Sequence, residues 1–152
     1  MYEIRTDQLE NNLCRFEVLH DLRPLFGVIA SDLYVRSSLQ HIDFFARLCV
    51  VEPSGKSINL CDGIMRLTPD NITPQPDDSL HIQIDIWPTA YHFRPGQRIR
   101  LQVSSGAHPV FVRNPGTGEP LATATKLQIA EQTVYHDPEY PSAIVLPVIE
   151  EQ

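Results

Sequence analysis

The chain has 152 residues, of which 42% are hydrophobic and 20% charged, and its formal net charge is −7. This length predicts a single domain, residues 1–152, with a core large enough to fold without a metal or a disulfide. An acidic chain without a stripe of Lys and Arg argues against a nucleic-acid partner, because phosphate binding needs a basic face.

Alternation of apolar and polar residues recurs along the chain, whereas helical periodicity is nearly absent. In the segment 80–86 the Leu and Ile residues share one face, and His81, Gln83 and Asp85 share the other. The segment 44–51 is apolar on both faces apart from Arg47, which is typical of a strand covered on two sides. In chain order the apolar runs predict about eight strands, near 14–21, 27–37, 43–52, 56–67, 79–87, 97–105, 124–134 and 143–149.

Turn residues separate these segments. The Pro-Ser-Gly sequence at 53–55 predicts a hairpin turn, and Pro95-Gly96 predicts another turn before the strand near 97–105. Residues 69–78 are too rich in proline for a helix and predict an irregular crossing loop. Many strands with irregular turns and no helix predict an all-β sandwich or barrel, and eight strands with long crossovers favour a jelly roll.

The cysteines and the N-terminal residues indicate a reducing compartment. Cys14, Cys49 and Cys61 are odd in number and form no C-x-x-C pair, which argues against a disulfide framework and a Cys-based zinc site. Residues 1–5 lack the basic and apolar regions of a signal peptide, and no apolar run approaches the roughly 20 residues of a membrane span. We therefore expect a cytoplasmic protein with buried free thiols and no membrane span.

Catalytic motifs are not recognisable. No G-x-S-x-G nucleophile elbow occurs, and Ser54 and Ser105, which precede glycines, are interpreted as turn residues. His41 stands two residues before Asp43 and His136 is adjacent to Asp137, but no His pair has metal-ligand spacing. The sequence thus predicts no catalytic residue, no metal site and no cofactor.

Two further features have structural interpretations. A partly buried ion-pair network is expected because charged residues recur beside apolar runs, and buried charges require partners; these residues are Asp43, Arg47, Arg66 and Arg113. Asp62-Gly63 suggests a bulge or tight turn inside a strand.

Aromatic residues supply the candidates for an interaction surface. Such residues can line a sugar platform, although more often they belong to a core or an interface. An exposed patch of them predicts a partner site, and self-association to a two-fold homodimer is a further expectation. The interface candidates are Phe44, Trp87, Tyr91, Phe93 and Phe111.

Several sequence strings, in a fixed order, resemble one family. They include IDFFARL at 42–48, SINLCDGIMR at 57–66, IDIWPTA at 84–90, FRPGQRIRL at 93–101, RNPGTG at 113–118 and QTVYHD at 132–137. Together they resemble the C-terminal domain of the X-prolyl dipeptidyl peptidase and cocaine esterase hydrolases, a group that includes glutaryl acylases and α-amino-acid ester hydrolases. The resemblance covers nearly the whole chain.

The resemblance implies a galactose-binding-like jelly-roll β-sandwich that serves as a non-catalytic accessory domain of a serine hydrolase. In that family the catalytic triad lies in a preceding α/β-hydrolase domain, so it maps onto no residue of this chain. The implied partner is that catalytic domain, in cis or in trans, on which the accessory domain packs to help wall the substrate pocket. The alternatives are a freestanding carbohydrate- or protein-binding module, and an enzyme with an unrecognised site.

Overall fold

The computed structural model describes residues 24–148, together with residues 5–6 and 14–18 for their backbone. These ranges contain nine β-strands and no helix, so within them no helix is long and apolar enough to cross a membrane. The strands are β1 (Arg5–Thr6), β2 (Cys14–Val18), β3 (Leu25–Ser37), β4 (Ile42–Val51), β5 (Ser57–Leu67), β6 (Leu80–Tyr91), β7 (Arg98–Ser104), β8 (Gln132–Tyr135) and β9 (Ala143–Val145).

The strands form two antiparallel sheets that pack as a sandwich. One sheet has five strands in the order β1-β2-β7-β4-β5. The other has the order β6-β3-β8. Strand β9 pairs with the same edge of β3 as β8 does, at residues 30–32, whereas β8 pairs at residues 34–37. The prediction of an all-β, jelly-roll-like sandwich is confirmed.

The core lies between the inner faces of the two sheets. The alternation at 80–86 is confirmed, because the Leu and Ile side chains of β6 are buried while His81, Gln83 and Asp85 are exposed. In β7 the same alternation buries Ile99, Leu101 and Val103.

Strand β4 is covered on both faces, as its composition predicts. Its inward residues join the core, and on the outer face of the five-stranded sheet Phe45, Cys49 and Val51 are also buried. The Phe111 ring packs against Phe45 on that outer face, with ring centroids 5.9 Å apart. A loop that follows β7 therefore supplies part of the second cover.

The predicted strand near 124–134 is wrong over most of its length. Only Gln132–Tyr135 forms a strand, and residues 105–131 contain no strand or helix. The apolar residues that suggested a strand, Leu127 and Ile129, are exposed. The predicted strand 14–21 forms as Cys14–Val18, and residues 19–21 lie outside the described ranges. The predicted strand 143–149 forms only as Ala143–Val145; Val148 makes an isolated bridge with Leu25, and residue 149 lies outside the described ranges.

Gly63 has a different role from the predicted bulge. The register shift between β4 and β5 falls at Leu48/Cys49, whereas Gly63 pairs regularly with Ala46. A Cβ atom at Gly63 would lie 2.3 Å from the backbone oxygen of Asp85 in β6. Gly63 is therefore needed where the backbones of the two sheets approach each other.

Candidate interface surfaces

Two ion pairs cross between β4 and β5 on the outer face of the five-stranded sheet. Arg66 stands opposite Asp43 in the register, and Asp62 stands opposite Arg47. Arg47 donates from Nε to Asp62 Oδ1 at 2.7 Å and from Nη2 to Oδ2 at 3.0 Å. The predicted network is thus two separate pairs, and Arg113 is instead exposed in the long loop.

Asp43 is a buried carboxylate that holds the long loop on the sheet. Its side chain is only 1% exposed. Arg66 donates to it from Nε at 2.8 Å and from Nη2 at 2.7 Å, and Asn114 Nδ2 donates at 2.8 Å. The same Nη2 reaches the backbone oxygen of Val112 at 3.3 Å. Hydrogen bonding to Asp43 raises the pKa of Arg66, and the bonds of Asp43 to Asn114 and of Arg66 to Val112 join the loop to the sheet.

Glycines bring the loop close to the chain that precedes β4. Gly116 and Gly118 have φ values of +78° and +75°, a backbone region that side chains rarely adopt. A Cβ atom at Gly118 would lie 2.7 Å from Nε2 of His41. The loop is also closed at its far end, where Ser38 N donates to Glu131 O at 3.0 Å and Glu131 N donates to Ser38 Oγ at 2.9 Å. The loop is therefore attached to the rest of the domain at 111–118 and again at 131.

The outward side of this loop carries five large apolar side chains among its exposed residues. Its polar contacts with Asp43 and Arg66 face the sheet, while large apolar side chains project outward, with Ile129 reaching 94% exposure. We call this set the loop surface; it consists of Val110, Val112, Leu121, Leu127 and Ile129. Several large apolar side chains that are exposed on one loop mark a candidate contact site.

A second apolar surface lies on the outer face of the four-stranded sheet. Trp87, which is 69% exposed, and Val28 are placed together by the register shift between Gly27 and Ile29. In the pairing of β3 with β6, Phe26 stands opposite Ala90. In the pairing of β3 with β9, Ala30 stands opposite Val145. We call this set the sheet-face patch; its exposed members are Phe26, Val28, Trp87 and Val145.

The structure separates the five aromatic candidates. Phe44 and Phe93 are fully buried in the core, so the expectation that they lie on an exposed face is wrong. Tyr91 is half-buried, with its ring 4.8 Å from that of Phe93, and Phe111 is half-buried against Phe45. Trp87 alone among the five is largely exposed. Phe44 points inward because it follows the core-facing alternation of β4, which an all-apolar strand conceals in the sequence.

The His-Asp pairs have structural partners. The Asp43 carboxylate accepts hydrogen bonds from Arg66 and Asn114. Asp137 Oδ1 accepts from the backbone nitrogens of Glu139 and Tyr140, at 2.9 and 3.0 Å, which makes it a turn residue. In the part of the chain that is described, no group of three His, Cys, Asp or Glu side chains is placed to hold a metal ion.

The two described thiols are buried. Cys49 and Cys61 are free, and burial raises the pKa of Cys61 to about 11. A thiol with so high a pKa is largely protonated near neutral pH, so it is a poor nucleophile. The side chain of Cys14 lies outside the described residues.

Comparison with known proteins identifies the class of domain. Residues 21–145 match the family described as the X-Pro dipeptidyl-peptidase C-terminal non-catalytic domain. The chain belongs to this family, as its sequence strings predict.

Individual relatives are larger hydrolases. Cocaine esterase from Rhodococcus sp. (strain MB1 Bresler) is 37% identical over 140 residues, which cover 88% of this chain and 24% of the esterase. An α-amino acid ester hydrolase has a TM-score of 0.77 at 28% identity, over 91% of this chain and 26% of its own. An aminopeptidase from a marine sediment archaeon, Thaumarchaeota archaeon, has a TM-score of 0.78 at 24% identity, over 93% and 26% of the two chains, and shows the fold alone. The chain therefore spans about a quarter of the length of these relatives.

Proposed function

We propose that this chain is the accessory domain of a serine hydrolase that cleaves esters or peptide bonds, packing on the catalytic α/β-hydrolase domain and helping to shape its substrate pocket. The observation that carries the proposal is the match of residues 21–145 to a non-catalytic domain of such hydrolases. The two apolar surfaces of the sandwich support it, because exposed apolar patches mark partner sites.

A domain exchange tests the proposal. In the Rhodococcus cocaine esterase, the segment that matches this chain is replaced by the chain itself, and hydrolysis of cocaine is measured. We expect the chimera to be active and the esterase without that segment to lose activity. A folded but inactive chimera, or a truncated esterase as active as the intact one, would contradict the proposal.

The isolated chain supplies the matched control. We expect it to hydrolyse neither aryl esters nor Gly-Pro-type dipeptide substrates, because the nucleophile is assigned to the catalytic domain. Turnover that persists through purification and disappears on replacement of one serine would favour an enzyme with its own site.

The sheet-face patch supports a homodimer of the isolated chain. Trp87 and Phe26 are exposed on the outer face of the four-stranded sheet, and such an apolar face can pair with a copy of itself across a two-fold axis. Sedimentation of the chain at rising concentration tests this, with Trp87→Ser as the variant that should remain monomeric. A monomer at every concentration contradicts it.

A cytoplasmic location is also part of the proposal. It is supported by the buried free thiols Cys49 and Cys61, which suit a reducing compartment. Fractionation of the source cells tests it, and recovery of the chain outside the cytoplasm would contradict it.

A further inference from the structure

We infer that the loop surface, and not the sheet-face patch, is where the catalytic domain docks. This inference rests on the proposed function and adds to it the face that makes the contact. The occupant is the catalytic domain of the same polypeptide.

The construction of the loop is the first reason. Residues 105–131 have no regular structure, and loops this long are uncommon in compact domains unless they have a function. Yet the buried Asp43 carboxylate binds Asn114 and, through Arg66, reaches the backbone of Val112. A preformed loop loses little conformational entropy on binding, so its exposed side chains favour association.

The chemistry of the loop is the second reason. Val110 and Val112 flank Phe111, whose ring contacts Phe45 on the sheet, so the neighbouring side chains are directed away from the sandwich. Ile129 is the most exposed large apolar residue in the part of the chain whose side chains are described. A partner that covers these side chains presents an apolar surface, as expected of a permanent contact between domains.

The path of the chain is the third reason. β2 begins at Cys14, which stands opposite Val103, one residue before β7 ends and the loop begins. The loop therefore leaves the five-stranded sheet beside the start of β2, and this sheet also holds β1, whereas the sheet-face patch lies on the other sheet.

Tethering explains why the occupant is the catalytic domain and not a second copy. In the relatives this domain is about a quarter of a larger hydrolase chain. A partner in the same polypeptide has an effective concentration on the order of millimolar, which a second copy reaches only when highly concentrated.

Amide hydrogen exchange, compared between the isolated chain and the active chimera with cocaine esterase, tests the inference. We expect exchange across 107–130 to slow by at least about tenfold in the chimera. Exchange at 26–30 and 85–90 should be unchanged. Protection of the sheet face with none on the loop would overturn the inference, and so would loop protection that appears in the isolated chain as its concentration rises, since a second copy then occupies the loop.

Substitutions provide an independent readout. Leu127→Ser with Ile129→Ser should leave the melting temperature of the isolated chain unchanged, because both side chains are exposed, but should lower that of the chimera. Ile58→Ser is the matched control, an exposed apolar residue of β5 outside both surfaces. Equal effects of the loop and control substitutions on the chimera would overturn the inference. An inactive wild-type chimera would instead count against the proposed function, which separates the two failures.

Discussion

Asp43 is a charged residue in one of the most apolar strands of the chain. Sequence reasoning predicts that it needs a partner, because a buried charge without one is costly. It does not choose among Arg47, Arg66 and Arg113, since that choice depends on the pairing of β4 with β5. The observed register places Arg66 opposite Asp43, and Asn114 of the distant loop donates a further hydrogen bond to the Asp43 carboxylate. The first of these contacts follows from strand pairing, and the second depends on a loop path that no local pattern specifies.

Asp43→Ala should therefore destabilise the domain. Arg66 and Asn114 would lose their common acceptor, and because Arg66 keeps some contact with water we expect a loss of about 2–3 kcal/mol. Urea denaturation followed by circular dichroism measures this. Asp62→Ala is the control; its partner Arg47 is also half-exposed, but Asp62 itself is less buried than Asp43, so a smaller loss is expected. If both substitutions lowered the free energy of unfolding equally, the deeper burial of Asp43 and its bond to Asn114 would add nothing to stability.

Gly63→Ala should also destabilise, for a steric reason. The new Cβ atom would meet the backbone oxygen of Asp85 at 2.3 Å, and a backbone atom cannot move aside as a side chain can. Overpacking of this kind costs about 1–3 kcal/mol.

Ser31→Ala, measured in the same way, is the matched substitution for Gly63→Ala. Ser31 is fully buried, and among the described residues its hydroxyl has no hydrogen-bond partner. Its removal should be neutral or stabilising by about 1 kcal/mol, because an unsatisfied hydroxyl is lost. A destabilised Ser31→Ala together with an unaffected Gly63→Ala would contradict both assignments.

At the scale of elements, alternation predicts strands well where one face meets the core. It succeeds for β6 and β7, whose inward residues are all apolar. It fails at 124–131, because an apolar residue that is exposed has the same letter as one that faces the core. Leu127 and Ile129 produce a strand-like pattern without a strand.

A hydrogen bond joins the segment after β8 to the crossing loop before β6. Tyr140 Oη donates to Asp77 Oδ2 at 2.7 Å. This bond needs a protonated tyrosine and an ionised aspartate. The hydrogen bond from Tyr140, with another from Ser79, lowers the pKa of Asp77 to about 2, and the contact with Asp77 raises the pKa of Tyr140 to about 12.

The pH dependence follows from these two directions. The depressed pKa of Asp77 gives a contribution that is present above its ordinary value of 3.8 and is lost as the pH falls through about 2. The raised pKa of Tyr140 gives one that is present below 10.0 and is lost as the pH rises through about 12. The ultraviolet absorbance of the tyrosines is titrated with pH in the wild type and in Tyr140→Phe, and the difference between the two curves reports the pKa of Tyr140. We expect that pKa to be raised in the wild type and to return toward 10.0 in Asp77→Asn. A titration unchanged in Asp77→Asn would contradict the contact.

At the scale of the whole molecule, the sandwich has apolar surfaces on two different sides. One is the loop surface beside the five-stranded sheet, and the other is the sheet-face patch on the four-stranded sheet. The inner core does not depend on either, since both sets of side chains are exposed. We therefore expect the isolated domain to fold with both surfaces uncovered, so that each surface can be tested without loss of the fold.

Trp87 reports on the sheet-face patch because it is the only tryptophan of the chain. Its exposure of 69% predicts emission at long wavelength, as in water, when the isolated chain is dilute. If two copies pair through this patch, emission should shift to shorter wavelength as the concentration rises, and Phe26→Ser should abolish the shift by removing a neighbouring apolar contact. In a dilute solution of the chimera with cocaine esterase, Trp87 should stay exposed to solvent, because the catalytic domain is assigned to the loop surface. This measurement requires the esterase's own tryptophans to be replaced by phenylalanine. A blue-shifted Trp87 in the dilute chimera would place the catalytic domain on the sheet face instead.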